Sequence, residues 1–356
     1  MYFLAKGRTE NSVDNDIYKL YNKVSMESIC ISVPRERAEL IRQKLMEEHL
    51  LRNDLKIRYD DNNVYLPVVR EVHMEDTDLK KMDFKEIKRR QSFREVITSK
   101  VTADGQISSF DVVGDIAIIR IPSELRGYKE EIGNAILSTN KHVKVVCTDN
   151  GVKQDYRIRD IEVIAGEKRT ETTHVEHGVK ITVDVAKVYY SPRLASERER
   201  IARCIKPGDI VIDMFAGAAP FSVVIAKLAE PSRVYAIDTN PCAVKYANMN
   251  VKMNKVDDTI RVMEGDAGNI VPSLGMADHI IMNLPHSSHE FFPTAVNAGR
   301  TIHYYEITDK NKIEERLEWL GNQAEKQGKK LEVKNWRVVG SYSPSKIKIG
   351  ADLLIR

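Results

Sequence analysis

Four residues stand out because each follows an apolar run: Asp213 after Ile210-Val211-Ile212, Asp238 after Val234–Ile237, Asp266 after a third run, and Asn283 after Asp278–Met282. Between the first two lies a turn of small residues, Ala216-Gly217-Ala218-Ala219, and then Pro220 opens a helical pattern. That order describes a buried parallel strand, a tight turn without bulky side chains, and a helix whose free N–H groups face the turn. Asp238 stands 25 residues after Asp213, and an acid at the second strand tip at that spacing suits hydrogen bonding to ribose hydroxyls. The chemistry implied is the binding of a nucleotide-type cofactor. Gly217 stands alone, without the G-x-G-x-x-G that brings a pyrophosphate onto the backbone. Asp213 at the mouth of the turn would repel a pyrophosphate and tolerate a cationic methionine moiety, so the pattern favours S-adenosylmethionine over NAD. The competing reading is a doubly wound turn that binds nothing.

Ligands of open α/β sheets bind beyond the carboxyl ends of the strands, where all four residues fall. Asp266 suits the adenine exocyclic amine, and Asn283-Leu284-Pro285 lies where a target base would enter. Each could cap a helix instead, Asp266 above all, but four at equivalent positions point to a site. The elements that must hold them run from Lys187 onward. A helix is expected at Pro241–Asn254 with Val244, Ala247 and Val251 on one face, strands at Asp278–Met282 and Thr301–Ile307, and a helix at about 312–327. A terminal pair, Leu331–Val339 and Ile347–Ile355, closes the chain. Five alternations and a hairpin match an α/β methyltransferase-type sheet, mostly parallel with a terminal antiparallel hairpin, and differ from a second dinucleotide-binding half.

Upstream, residues 1–25 are polar and aperiodic and are expected to be a poorly ordered extension. A strand at Ser28–Val33, a helix from Pro34 to about His49 and a hairpin of Leu55–Tyr59 with Val64–Val69 predict a small α/β domain at 26–70. Residues 71–91 are dense in charge and read as a linker carrying a helix. A second α/β domain is expected at 92–186, with strands in Ser109–Ile121 broken at Gly114-Asp115 and a helix from an N-cap at Ser123 to Thr139. Strands at His142–Cys147, Tyr156–Val163 and Val179–Val185 would complete it, leaving 187–356 as the cofactor-binding catalytic domain.

Composition narrows the class. With 356 residues, 42% hydrophobic and 30% charged, the chain is long enough for several domains and a substantial core. A net charge of only +3 means that nucleic acid would be held by local patches. The cysteines, Cys30, Cys147, Cys204 and Cys242, form no C-x-x-C pair, which argues against zinc or a disulfide framework. The two H-x-x-H spacings, His174/His177 and His286/His289, lack a recognisable third ligand and read as surface or pocket-rim histidines, so no metal is expected. No apolar run approaches membrane-spanning length and no secretory segment follows Met1, so a cytoplasmic enzyme is expected.

Two stretches interleave arginine with tyrosine: Lys187–Arg200 (KVYYSPRLASERER) and Tyr156-Arg157-Ile158-Arg159. Such mixtures suit phosphate contact and base stacking, although a charge run is usually a solvated face. These stretches, with DVVGDIAI (Asp111–Ile118), DMFAGAAPFS (Asp213–Ser222), AIDTNP (Ala236–Pro241), NLP (Asn283–Pro285) and IHYYE (Ile302–Glu306), carry a wider likeness. From Met26 to Arg356 the sequence resembles the archaeal and eukaryotic tRNA (guanine-N1)-methyltransferases that modify the purine immediately 3′ of the anticodon. The resemblance implies a class I methyltransferase fold, S-adenosylmethionine as cofactor, tRNA as partner, a monomer, and a mobile N-terminal domain that checks the outer corner of the tRNA. By motif, Glu197 is the general base and Arg157 stabilises charge on the base. Tyr189, Arg193, Asn283 and Pro285 meet the substrate. The implied cofactor set is Arg198, Asp213, Phe215, Gly217, Asp238, Thr239, Asp266, Ala267 and Asn283. One departure is Ala219, where the family commonly has glycine and where a methyl is expected to crowd the cofactor.

The chemistry agrees with the resemblance. Guanine N1 carries a proton at neutral pH, so a carboxylate must remove it, the more efficiently if burial lifts its pKa. Charge then spreads to O6, where a guanidinium can stabilise it, and the target must be splayed from its stack. Three other readings are open. One is a wyosine-pathway methyl- or aminocarboxypropyl-transferase at the same tRNA position. Another is an adenine-N6 methyltransferase, which would want Pro-Pro and an aromatic after the Asn. The third is a tRNA-binding protein with a decayed cofactor fold.

Overall fold

The structure, a computed structural model, describes residues 25–87, 92–98, 109–152 and 158–356. It divides into two compact units, Met1–Gln91 and Ser92–Arg356. In the first, the alternating run Ser25–Pro34 (β1) is the hub of an antiparallel sheet. Helix Ala38–Glu47 (α1) buries Ile41 and Leu45, and strands Arg58–Tyr59 (β2), Asn63–Pro67 (β3) and Asp78–Lys85 (β4) complete the order β2-β3-β1-β4. β4 lies in the stretch expected to be a helix-bearing linker. It instead pairs along β1 from Ser32↔Asp78 to Ser25↔Lys85, and Phe84 is fully buried with Cys30 and Leu55. Its other positions are mostly charged because they face solvent, and composition alone hid the strand.

The second unit begins with Phe93–Thr98 (α2), Asp111–Val113 (β5), Ile116–Ile119 (β6), Lys129–Thr139 (α3), Val145–Val152 (β7) and Arg159–Gly166 (β8). The four strands form a sheet in the order β5-β6-β7-β8. Ser123 caps nothing: a 3₁₀ turn at Ser123–Tyr128 precedes α3, and its N-cap position is Pro122. A hairpin follows, Glu171–Glu176 (β9) and Val179–Asp184 (β10), which among the described residues pairs only with itself. Next come Ala195–Cys204 (α4), Ile210–Asp213 (β11), Pro220–Leu228 (α5), Arg233–Asp238 (β12), Pro241–Met253 (α6), Ile260–Glu264 (β13), Ala267–Ile270 (α7) and Ala277–Met282 (β14). Ser288–Ala298 (α8), Gly299–Asp309 (β15), Ile313–Lys326 (α9), Leu331–Ser341 (β16) and Lys346–Ile355 (β17) complete the chain.

The large sheet runs β13-β12-β11-β14-β15-β17-β16, parallel except that β17 is antiparallel to both neighbours. This is the class I methyltransferase order, with β11 and β14 at the crossover where the strand order reverses. Sequence periodicity placed β10 with the second domain, but it packs on α5 and α6 of the cofactor fold. Two asparagines, Asn250 of α6 and Asn254 at its C-cap, make the difference. Asn250 accepts the Thr182 N–H at 2.7 Å and donates to the carbonyls of Thr182 and Ala218, both at 2.9 Å. Asn254 treats Lys180 likewise, accepting at 2.9 Å and donating at 2.7 Å. They satisfy the free edge of β10, which no strand covers.

Phe84→Ala removes the largest side chain of a small core and should cost about 3–5 kcal/mol. Hydrogen exchange should show lost protection at Ile31, Val33 and Leu66, with the amides of β11 and β12 unchanged.

Candidate active site

At the tip of β11, Asp213 is 1% exposed and its Oδ2 accepts the Ser222 hydroxyl at 2.8 Å. It is buried and braces the turn to α5 through Ser222. Burial, with the Asp238 charge nearby, pushes its carboxyl up to about 7 against the Ser222 hydrogen bond. Above it Gly217 has a φ of 57° and donates its N–H to Asp238 Oδ2 at 2.7 Å. A Cβ there would approach only the Tyr189 carbonyl, at 3.6 Å, so the left-handed backbone rather than crowding calls for glycine. Ala219 also has a positive φ, of 61°. Its methyl is wholly buried in the hydrophobic core, so the expected crowding of the cofactor does not occur and the strain falls on the backbone.

Asp238 Oδ1 accepts the Asn240 N–H at 2.9 Å, and Asn240 in turn caps α6 beside exposed Thr239. Each carboxylate oxygen keeps acceptor capacity for a ribose hydroxyl. Asp266 caps α7 through the Asn269 N–H at 3.1 Å, followed by buried Ala267. Phe215 meets Phe291 of α8 edge-on at 5.0 Å, and Gly268 faces Asp266 and Phe291. These residues border an apolar wall with an acid at its rim, which fits an adenine ring. Together with the acceptors of Asp238 and the bare Gly217 backbone, they fit S-adenosylmethionine.

The Asn283-Leu284-Pro285 loop is held by Ser288, whose hydroxyl donates to the Met282 and Leu284 carbonyls at 3.0 Å, and by the Ile307 N–H, which reaches the Pro285 carbonyl at 2.8 Å. Glu197 of α4 is buried and faces the same strand ends. Its Oε1 accepts the Tyr305 hydroxyl at 2.9 Å, Arg337 Nη1 at 3.1 Å and Arg200 Nη2 at 2.7 Å. Arg200 and Arg337 also grip Asp352, at 2.9 and 2.6 Å. Burial works to raise Glu197, but these donors more than offset it and hold the carboxyl below its ordinary value, contrary to the expected lift.

Arg198 lies elsewhere. It is 1% exposed, donates from Nε and Nη2 to Glu176 at 2.5 and 2.6 Å, and packs over Tyr190 and Phe221, so it is structural rather than a cofactor ligand. Half-exposed Tyr189 carries the Arg159 guanidinium 5.5 Å over its ring, and Arg193 pairs with Asp111 at 2.7 Å. Arg157 and Tyr156 lie outside the described residues. The H-x-x-H pairs stay apart: His174 accepts the Gly114 N–H, His177 contacts the Ala195 carbonyl, and His286 and His289 face Tyr342 and Trp319. No cluster that could hold a metal occurs among the described residues.

Residues 172–334 match the TRM5/TYW2 methyltransferase domain, 91–170 the TYW2 N-terminal domain and 30–76 the tRNA methyltransferase 5 N-terminal domain. The tRNA (guanine(37)-N(1))-methyltransferase Trm5b of Pyrococcus abyssi is 39% identical over 335 residues, 92% of this chain and 99% of that protein. Its crystal structure gives a TM-score of 0.75 at 37% identity, over 92% of this chain and 99% of that one. The chain belongs to the TRM5/TYW2 methyltransferase family. A second TRM5-type structure, solved as a complex of aTrm5 and tRNALeu, gives 0.69 at 34% identity over 92% and 100% of the two chains. The tRNA 4-demethylwyosine(37)-methyltransferase Taw21 of Saccharolobus solfataricus is 36% identical over 248 residues, but these are 68% of this chain and 92% of that protein.

The site also includes residues to which the sequence assigned no role: Phe291, Tyr305, Arg337, Lys348 and Asp352. Tyr305 alone carried a local signal, inside IHYYE. The folded-state pKa of Asp213 lies above its unfolded value, so the stability tied to its protonated form is complete below about pH 4 and is lost as pH rises through about 7. Asp213→Asn should therefore gain on the wild type in urea unfolding between about pH 5 and pH 8. Parallel pH dependences would show an ordinary carboxylate.

Proposed function

We infer that this chain transfers a methyl group from S-adenosylmethionine to N1 of the guanine immediately 3′ of the anticodon in tRNA. The observation that carries this reading is coverage. The Trm5b relative aligns over 92% of the chain, N-terminal unit included, whereas the demethylwyosine methyltransferase aligns over 68%. A wyosine-pathway activity therefore leaves the first unit unexplained. That unit would support tRNA binding and take no part in chemistry. Among the described residues no helix is long and apolar enough to cross a membrane, and a tRNA substrate supports a cytoplasmic setting.

Asp238, Thr239, Phe215, Gly217, Asp266 and Ala267 would hold the cofactor, which when bound supplies an electrophilic methyl group on a sulfonium. Asn283, Pro285 and Tyr189 would frame the guanine, with Arg193 and Arg157 toward its phosphates and O6. Glu197 would take the N1 proton. Its two guanidinium partners hold its carboxyl below the ordinary value, and a docked tRNA that loosened either of them would raise its basicity. Glu199 is a poorer candidate, since it faces outward to Arg203 and His177.

Incubation with labelled S-adenosylmethionine and an unmodified tRNA transcript, followed by nucleoside mass spectrometry, should yield N1-methylguanosine. Product only on a tRNA carrying the tricyclic intermediate would reverse the reading in favour of the wyosine pathway. Glu197→Gln should slow single-turnover methyl transfer by roughly 10²–10⁴-fold and abolish the ascending limb of its pH profile. A normal rate would leave Glu197 structural.

A further inference from the structure

Lys348, on β17, has its ammonium at the carboxyl edge of the sheet between the two motif-bearing segments. Its Nζ donates to Asn283 Oδ1 at 2.8 Å and stands 5.3 Å from the centroid of the Tyr305 ring. The hydroxyl of that ring donates to Glu197 Oε1 at 2.9 Å. The Tyr305 ring can lie there because residue 350, across from it, is glycine: a Cβ would come within 3.0 Å of Tyr305. A chain of contacts thus joins Asn283, Lys348, Tyr305 and Glu197, drawn from a loop, two strands and a helix.

We propose that Lys348 is a positioning residue for methyl transfer, holding the Asn283 amide in one orientation and keeping a positive charge beside the Glu197 carboxylate. The argument starts from the amide. An asparagine on a loop can present its oxygen or its NH₂ to a ligand by rotating half a turn about its terminal bond, and the two faces read opposite hydrogen-bond patterns. The Watson–Crick edge of guanine offers donors at N1 and N2, so it needs the oxygen. A cation pinned to Oδ1 forbids the flip and leaves the second lone pair of that oxygen for the base. Second, the ammonium has no carboxylate within ion-pair distance among the described residues, although burial is costly for a bare charge. Facing it are Glu197 and Arg198 from α4, Tyr305 from β15 and Asn283, while its neighbour on β16 is Gly340. Burial, opposed by Glu197 and assisted by Arg198, pulls its pKa down to about 8. Its charge is therefore present below that pH and lost above it.

The inference rests on the reading of the Asn283 loop as the base-receiving site. Its test compares wild type, Lys348→Met and Lys348→Arg in single-turnover methylation of the tRNA transcript at saturating tRNA and cofactor, from about pH 6 to pH 9.5. Lys348→Met keeps the apolar stem and should slow the chemical step by about 10–100-fold, with the KM for tRNA and calorimetric cofactor affinity little changed. The wild-type rate should turn down above about pH 8, and the Lys348→Arg profile, whatever its height, should not. A Lys348→Met rate within twofold of wild type, or wild-type and Lys348→Arg profiles of one shape above pH 8, would overturn the proposal while leaving the assigned activity standing. A wild type that makes no N1-methylguanosine would overturn both.

Discussion

The ion pair between Arg198 and Glu176 decides how the rest of the site is arranged. Both partners are almost wholly buried, and the guanidinium is also capped by the Ser191 carbonyl and the Tyr190 hydroxyl. Removing one partner of such a pair typically costs about 3–5 kcal/mol, because the other charge is left in the interior. The pair clamps α4 to β9 and to the segment carrying Tyr189. With that helix face fixed inward, the preceding residue is turned about 100° around the axis, which delivers Glu197 to Tyr305 of β15 and Arg337 of β16. The anchor and the carboxylate are neighbours in sequence with opposite duties.

The carboxylate itself is part of a wider balance. Glu197 and Asp352 compete for Arg200 and Arg337, and Asp352 is further held by His303, which hydrogen-bonds His279 at 3.1 Å. Burial and the neighbouring His303 pull His279 down to about 4, so that end of the network is neutral at physiological pH. How firmly Glu197 holds a proton is therefore set by how the two arginines divide themselves between two acids. A small shift of either guanidinium changes the basicity of one carboxylate without moving the carboxylate.

Much of the cofactor half was legible in sequence because its signals are local. Strand tips, the small-residue turn and the Pro-led helices each announce themselves within a dozen residues, and the sheet order follows from their alternation. What local pattern could not do was tell apart like residues in unlike surroundings. Asp213 and Asp238 both end apolar strands, yet β11 is central and buries its acid, whereas Asp238 reaches the turn. Glu197 and Arg198 share a motif, and only the packing of α4 shows which of them turns to the site. Strand β4 was hidden by its solvent-facing charges, and the placement of β10 by an edge satisfied by side chains rather than by another strand. Lys348, Arg337 and Asp352 lie 140 residues or more from Glu197 along the chain, and nothing in their own surroundings marks them.

The position of β17 carries a further consequence for how the protein is made. It follows β16 in sequence but lies inside the sheet, between β15 and β16. During synthesis, β15 is therefore an open edge until β17 has left the ribosome, and the parallel part of the sheet must wait with an unpaired strand. Arg337 of β16 and Asp352 of β17, which share the balance of Glu197 with Arg200, arrive only with the β16–β17 hairpin. The nascent chain can thus form the turn around Gly217 before the partners that Glu197 finds on β16 and β17 are in place, an order written into the strand order.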